Sequence, residues 1–396
     1  MIITRLKIDN LYGFQDFELD LTYPRKQPQS FVDYEYLEDV PSFKFKRVCI
    51  LMGTNASGKT SLGKVIWGIQ TYINRNLSRL PIQLYEAICD KRKSAQIEIE
   101  FVIPDLNIFQ YIFIEFKEQE ITNKKEYQIK LLPNDTNLTV QKRLKQKKSE
   151  PIDLNNSSND ILSLLNQTQM TKTFTAPFSY KFVKNDNNRF QLGSTLNSNN
   201  LNKLLPILQT FDTTIVDVSP LITEKKDGES IFEGYTVFFE NGDTVKVTDD
   251  GETFTEREKN RFSKGTYDVL SVADFILRIL KNVNTSSSAT YFLDEKLASS
   301  HSELEMTILN LIIQKLNKHS QFFYTTHNYD VLDLNLPAHS FVFLHKENGY
   351  CQAEQPEKLG FSKNDRKLKG YVRNNYFRTV PSTHLLDELM WGEDDE

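Results

Sequence analysis

Hydrophobic and polar positions alternate from the first residues of the chain: Ile2, Thr4, Leu6 and Ile8 fall on one face, Ile3, Arg5 and Lys7 on the other. A period of two predicts a half-buried strand. Leu11-Tyr12-Gly13-Phe14 then makes a turn and residues 17–21 alternate again, which predicts an N-terminal hairpin or meander. A polar stretch with Pro24, Pro28 and Pro41 separates this from Val48-Cys49-Ile50-Leu51-Met52, which is apolar throughout. A short unbroken run of this kind suits a strand buried on both faces of a mainly parallel sheet. Residues 60–67 behind it read as helix, and 96–104 and 108–116 as two antiparallel strands.

Further along, residues 117–150 turn lysine-rich, with five basic residues in 141–148. Residues 151–205 are rich in Asn, Ser and Leu and are expected to form helices with irregular links. Residues 212–247 read as strands with turns at Asp227-Gly228 and Asn241-Gly242-Asp243, the second a good hairpin signal. From about residue 258 the period becomes helical, with Leu270, Ala273, Ile276, Leu277 and Leu280 on one stripe. Strands at 290–293 and 321–325 bracket a helix carrying Leu304, Ile308, Leu311, Ile312 and Leu316, and 341–344 is a further strand. The class is therefore α/β. The expected division is an N-terminal lobe at 1–116, an inserted, mainly helical region at 117–210, a second lobe at 211–350, and a C-terminal segment at 351–396 with an acidic tail.

Composition narrows the partners. With 39% hydrophobic and 26% charged residues in 396, the chain is of the soluble globular kind. A net charge of −5 gives no general argument for nucleic-acid binding, although the 141–148 run leaves a local DNA contact open beside its plainer reading as a solvated face. Cys49, Cys89 and Cys351 are scattered, which argues against a disulfide framework or a zinc site and fits a cytoplasmic location. The charged N-terminus does not read as a signal peptide, and residues 106–116, interrupted by Asn107, Gln110 and Glu115, are too short to span a bilayer, so no membrane partner is expected.

The chemistry begins at Gly53-Thr54-Asn55-Ala56-Ser57-Gly58-Lys59-Thr60, which satisfies the full pattern G-x-x-x-x-G-K-[ST]. The glycines let the backbone turn tightly without a side chain in the way, and successive N–H groups together with the helix N-terminus bind an anion. Gly53, Asn55, Ser57, Gly58, Lys59, Thr60 and Ser61 are the candidate phosphate-binding residues. Lys59 supplies charge to the β- and γ-phosphates, and the Thr60 hydroxyl is a ligand for Mg²⁺. The strand at 290–293 ends in Asp294-Glu295. Asp294 is the second magnesium candidate, and Glu295 the group to accept a proton from attacking water. An acidic pair opening a helix reads more plainly as a favourable N-terminal charge, but the phosphate loop upstream favours the chemical reading. His327 follows the next strand and is placed to sense or orient a γ-phosphate.

Phosphate loop, Asp-Glu strand and strand-end histidine, in that order and with a long insert, resemble the ABC-type ATPases, and within them the group containing RecF, SMC proteins and OLD-type ATPases. Leu6-Lys7-Ile8-Asp9-Asn10-Leu11-Tyr12-Gly13-Phe14 matches the segment that opens the fold in that group. Phe262-Ser263-Lys264-Gly265-Thr266 resembles the OLD-type signature Leu-Ser-x-Gly-Thr. The resemblance implies a mixed central sheet, an antiparallel N-terminal β subdomain and a helical insert. It also implies ATP and Mg²⁺ as ligands and a homodimer or higher homo-oligomer, in which Ser263 and Gly265 bind the γ-phosphate held by another subunit. A plain helix cap is the other reading of Ser263. His301 falls in a loop expected to face the second copy, but both prolines of the OLD-type loop are missing, and Gln70 and Gln96 are both open as the family's glutamine-loop residue. Too little chain follows His327 for the TOPRIM nuclease of OLD proteins. Residues 369–381 resemble stand-alone phage-defence ATPases of the AbiL and PARIS (AriA) types, which implies an effector protein from a neighbouring gene. Leu385, Leu386, Leu389, Met390 and Trp391 fit either a partner-facing helix or packing on the chain's own sheet. A RecF-like DNA-repair ATPase is the alternative.

Overall fold

The computed structural model describes residues 1–23, 32–74, 78–149, 178–183, 201–224, 230–248, 253–255, 260–261, 264–282, 288–298, 300–361 and 368–381. The alternating N-terminus forms β1 (Ile2–Asp9), which pairs antiparallel with β2 (Phe17–Asp20) through the expected turn. A short hairpin, β3 (Tyr36–Leu37) and β4 (Val40–Lys44), occupies the polar stretch, where no strand is expected from the pattern. The apolar run becomes β5 (Val48–Gly53), all six residues buried, and is followed by helix α1 (Lys59–Asn74) and a short α2 (Ile82–Glu86). β6 (Ala95–Ile103) and β7 (Ile108–Lys117) form the expected antiparallel pair, and β6 lies against β1.

The lysine-rich part is less helical than its composition suggests. β8 (Glu120–Lys130) pairs with β7 and closes a five-stranded antiparallel sheet in the order β2-β1-β6-β7-β8. It is an edge strand, and most of its charged side chains stay in water, a common way to blunt an edge, so its burial pattern is weak. α3 (Asn137–Ser149) then packs Val140 and Leu144 on the outer face of that sheet. Of the five basic residues in 141–148, Arg143 bonds to Asp135 and the Lys130 carbonyl, Lys147 to the Gln128 carbonyl, and Lys148 lies over the Tyr111 ring. β9 (Phe178–Val183) and α4 (Leu201–Phe211) complete the described part of the insert, so the region expected to be mainly helical also contributes two strands. The remainder of 151–200 lies outside the described residues.

β10 (Ile215–Glu224), β11 (Ser230–Phe239) and β12 (Thr244–Thr248) form a separate antiparallel sheet, with Gly242 at φ 83° in the Asn241-Gly242-Asp243 turn. The Asp227-Gly228 turn falls outside the described residues. Helix α5 (Lys264–Asn282) buries Leu270, Ala273, Ile276 and Leu277 as its stripe predicts. β13 (Ser288–Asp294), α6 (Ser302–Lys315), β14 (Ser320–Thr326), β15 (Phe341–Glu347) and β16 (Tyr350–Glu354) follow, then a short α7 (Leu368–Arg373). On α6 the buried face is Glu305, Ile308, Leu309 and Ile312, which puts a carboxylate where the apolar stripe places none.

The central sheet runs β16-β15-β5-β14-β13-β9, parallel except for the edge strand β16. The fold is thus α/β with a mixed central sheet and an antiparallel N-terminal sheet. β5 shows how the sheet is buried: Cys49 and Leu51 join the core with α1 and the N-terminal sheet, while Val48, Ile50 and Met52 join the core with α5 and α6. No helix among the described residues is long and apolar enough to cross a membrane. The three cysteines are free.

Two buried polar side chains join the parts. Gln321 accepts a bond from the Ile3 N–H at 2.6 Å and donates to the Ile3 and Lys46 carbonyls, both at 2.9 Å. Arg47, at the foot of β5, donates to the carbonyls of Asp33, Leu316 and Asn317. Burial lowers its guanidinium to about 10, still charged at neutral pH. Arg47→Met keeps the stem and strands three carbonyls, so we expect a loss of about 2–4 kcal/mol and a lower melting temperature, with Arg47→Lys only partly restoring it because an ammonium lacks the planar fork. Thermal unfolding of the three proteins is the check.

Candidate functional site

The parallel ladder sets the site. β5 ends at Gly53, β13 at Asp294 and β14 at Thr326, and in register Thr326 lies opposite Met52 and Asp294 opposite Thr325. Three carboxyl ends therefore meet on one edge, where open α/β sheets bind ligands.

The loop after β5 is shaped by small residues. A Cβ on Gly53 would stand 2.1 Å from the Leu344 carbonyl oxygen of β15, so only glycine lets the two strand ends approach. Ala56 (φ 59°) and Gly58 (φ 98°) take left-handed conformations, and a Cβ on Gly58 would meet Cys351 Sγ at 2.8 Å and the Phe14 ring at 3.2 Å. Asn55 and Ala56 are exposed at the tip, and Ser57 is buried with no hydrogen-bond partner for its hydroxyl. Ser61 is half-buried in the first turn of α1. The Lys59 ammonium is buried and donates to the carbonyls of Gly53 and Thr54, both at 3.0 Å. It also lies 3.3 Å from Glu295 Oε1. Burial lowers its pKa, and the nearby Glu295 and Asp294 charges work against that.

Across the ladder, Asp294 Oδ2 accepts from the Thr60 hydroxyl and its Oδ1 from the Thr325 hydroxyl, each at 2.6 Å. Burial raises the Asp294 carboxyl, and these two bonds oppose the rise. Thr325 Oγ1 also accepts from the Glu295 N–H at 3.0 Å, which helps hold Glu295 at φ 52°, a strained conformation for a non-glycine residue. Glu295 Oε1 receives His327 Nε2 at 2.8 Å. The His327 bond, then the Lys59 charge, hold the Glu295 carboxyl at about 2 despite partial burial.

Thr60 Oγ1 and Asp294 Oδ2 form a pair of hard oxygen donors side by side. Among the described residues no three His, Cys, Asp or Glu side chains cluster to hold a metal. That donor set suits Mg²⁺, which takes one or two protein oxygens and draws the rest from water and phosphate, and does not suit a fully caged metal.

Gly53, Ser57, Gly58, Lys59, Thr60, Asp294, Glu295 and His327 thus meet at one place, with Asn55 and Ser61 on the same loop and helix start. Gly265 lies in the first turn of α5, and Ser263 falls outside the described residues. His301 is exposed and N-caps α6 through its backbone, with no side-chain cap bond. Thr325 escapes a reading by motif. Its signal is positional, one residue before the end of a strand parallel to the Asp-Glu strand.

No protein-family model matches the chain, and no curated protein sequence does. Among solved structures it is similar to an SMC head bound to the C-terminal winged-helix domain of ScpA, at 12% identity and a TM-score of 0.45, over 91% of this chain and 99% of that one. It is also similar to the SMC head domain from Thermotoga maritima, at 12% identity and a TM-score of 0.39, over 90% and 99%.

Gly58→Ala is expected to cost about 1–2 kcal/mol from the left-handed backbone alone, and more from the contact with Cys351. Adding Cys351→Ala should recover the contact part only. A melting temperature for Gly58→Ala equal to that of the wild type would show that the loop does not hold this conformation.

Proposed function

We propose that the chain binds ATP with Mg²⁺ on residues 53–61 and hydrolyses it. The observation that carries this reading is a shared oxygen: Glu295 Oε1 meets both Lys59 Nζ and His327 Nε2, one residue away from the Thr60–Asp294 pair. Lys59 and the N–H groups opening α1 hold the phosphates. Thr60 and Asp294 would hold the magnesium ion, which neutralises charge on the phosphate oxygens when bound. His327 orients the γ-phosphate and Glu295.

Glu295 receives the proton of the attacking water. At about 2 its carboxylate is a weak base. Lys59 is one of the groups holding it there. A γ-phosphate that draws Lys59 to itself removes that contribution and brings negative charge close, and both changes raise the basicity of Glu295. The substrate thereby prepares the base that acts on it.

ATP as the nucleotide, and a second copy supplying Ser263 and Gly265 to each site, follow from the likeness to ABC-type ATPases. The finer role, a phage-defence ATPase controlling a separate TOPRIM-type effector, is supported by the likeness of residues 369–381 to stand-alone defence ATPases. There Phe377 stacks on Phe343, while Tyr371 and Tyr376 remain exposed. Purification with the neighbouring gene product tests that role. The engagement of Arg143, Lys147 and Lys148 within the chain weakens the RecF-like DNA-binding alternative.

Lys59→Ala is expected to abolish nucleotide binding, measured by calorimetry. Glu295→Gln should keep ATP bound, slow phosphate release by on the order of 10²-fold, and accumulate a dimer visible by light scattering. Wild-type turnover in Glu295→Gln overturns the assignment of the base.

A further inference from the structure

His327 stands on the short segment after β14, and its two neighbours in sequence are tied to one buried carboxylate. Glu305, on the inner face of α6, is 1% exposed. Its Oε1 accepts the Thr326 hydroxyl at 2.9 Å and the Tyr324 hydroxyl at 2.5 Å, and its Oε2 accepts the Asn328 amide at 2.7 Å. The same segment is tightened further. Asn328 N–H donates to Thr326 Oγ1 at 3.0 Å, Asn328 Nδ2 to Ser302 Oγ at 3.1 Å, and Asn328 Oδ1 accepts the Asp330 N–H at 2.9 Å. A buried carboxylate is costly unless its lone pairs are satisfied, and three charge-assisted bonds from one short stretch of chain are an expensive arrangement for packing alone.

We infer that Glu305 is a positioning residue: through Thr326 and Asn328 it fixes the backbone on either side of His327, and so sets the imidazole against Glu295. This rests on the proposed ATPase reading for its consequence in turnover, but not for the geometry. Glu305 does not touch the reacting groups; it acts through the segment that does. It also joins that segment to α6, the next helix in the chain after Glu295. A displacement of α6 therefore carries His327 with it.

The test uses the full chain with Glu305→Gln, which keeps the shape but turns one acceptor into a donor facing hydroxyl and amide donors, and Thr326→Val, which removes one tie and leaves Glu305 in place. The first readout is the imidazole signal of His327 by NMR at one fixed pH, assigned with His327→Gln. The second is ATP affinity against turnover. Both variants are expected to melt cooperatively, to bind ATP within about twofold of wild type, and to turn over about tenfold or more slowly, the scale of a small misplacement of an acting group. The His327 signal should shift in both. If Glu305→Gln fails to fold, Thr326→Val decides alone. An unshifted His327 signal in the folded variants overturns the inference, whatever the rates. A wild-type chain that hydrolyses no ATP sinks the ATPase reading instead, and the NMR comparison still judges Glu305.

Discussion

The register of three parallel strands is the constraint on which the site depends. Gly53, Asp294 and Thr326 end β5, β13 and β14, and the ladder aligns those ends across a sequence separation of 234 residues between Thr60 and Asp294. A slip of one residue would turn every side chain to the opposite face, moving Asp294 away from Thr60 and Tyr324 into the wrong core. Burial on both faces makes such a slip expensive. Phe292 and Phe323 stack on one side of the sheet, Phe322 and Tyr324 on the other. The chemistry at the edge is thus positioned by the apolar packing beneath it.

On that frame the polar groups are arranged to hold charge at low water content. Lys59 is ringed by two carbonyls and a carboxylate, and Asp294 by two threonine hydroxyls. Each is satisfied by neighbours from different strands or loops, so the loop, the Asp-Glu strand and the strand-end histidine form one connected set of bonds. Thr325 is central to it, since a single hydroxyl donates to Asp294 and accepts from the Glu295 backbone.

Much of this is legible in the residues themselves. The unbroken run at 48–52, the glycine-lysine loop and the acidic strand end each announce their place, because burial on both faces and a tight glycine turn from strand to helix leave strong local patterns. What escapes has physical reasons. β8 and β16 are edge strands, half in water; charge dilutes the alternation of β8, and β16 is only five residues long. β9 is a short alternation, Phe178-Ser179-Tyr180-Lys181-Phe182, set in an Asn- and Ser-rich stretch whose composition hides it. Glu305 breaks the apolar stripe of α6 because its burial depends on donors that lie far along the chain. Local patterns reveal faces; they do not reveal which distant hydroxyl completes a carboxylate.

Gln321 has a consequence of its own. Its amide bonds to both the N–H and the carbonyl of Ile3, as a neighbouring strand's backbone would, and so completes β1 at a position beyond the Arg5–Ile8 stretch that β2 pairs. Donor and acceptor sit at opposite ends of the group, so only one of its two flips fits. The N-terminal sheet is thereby keyed at Ile3 to β14, the strand that leads into His327, so the placement of that histidine and the seating of β1 share one side chain.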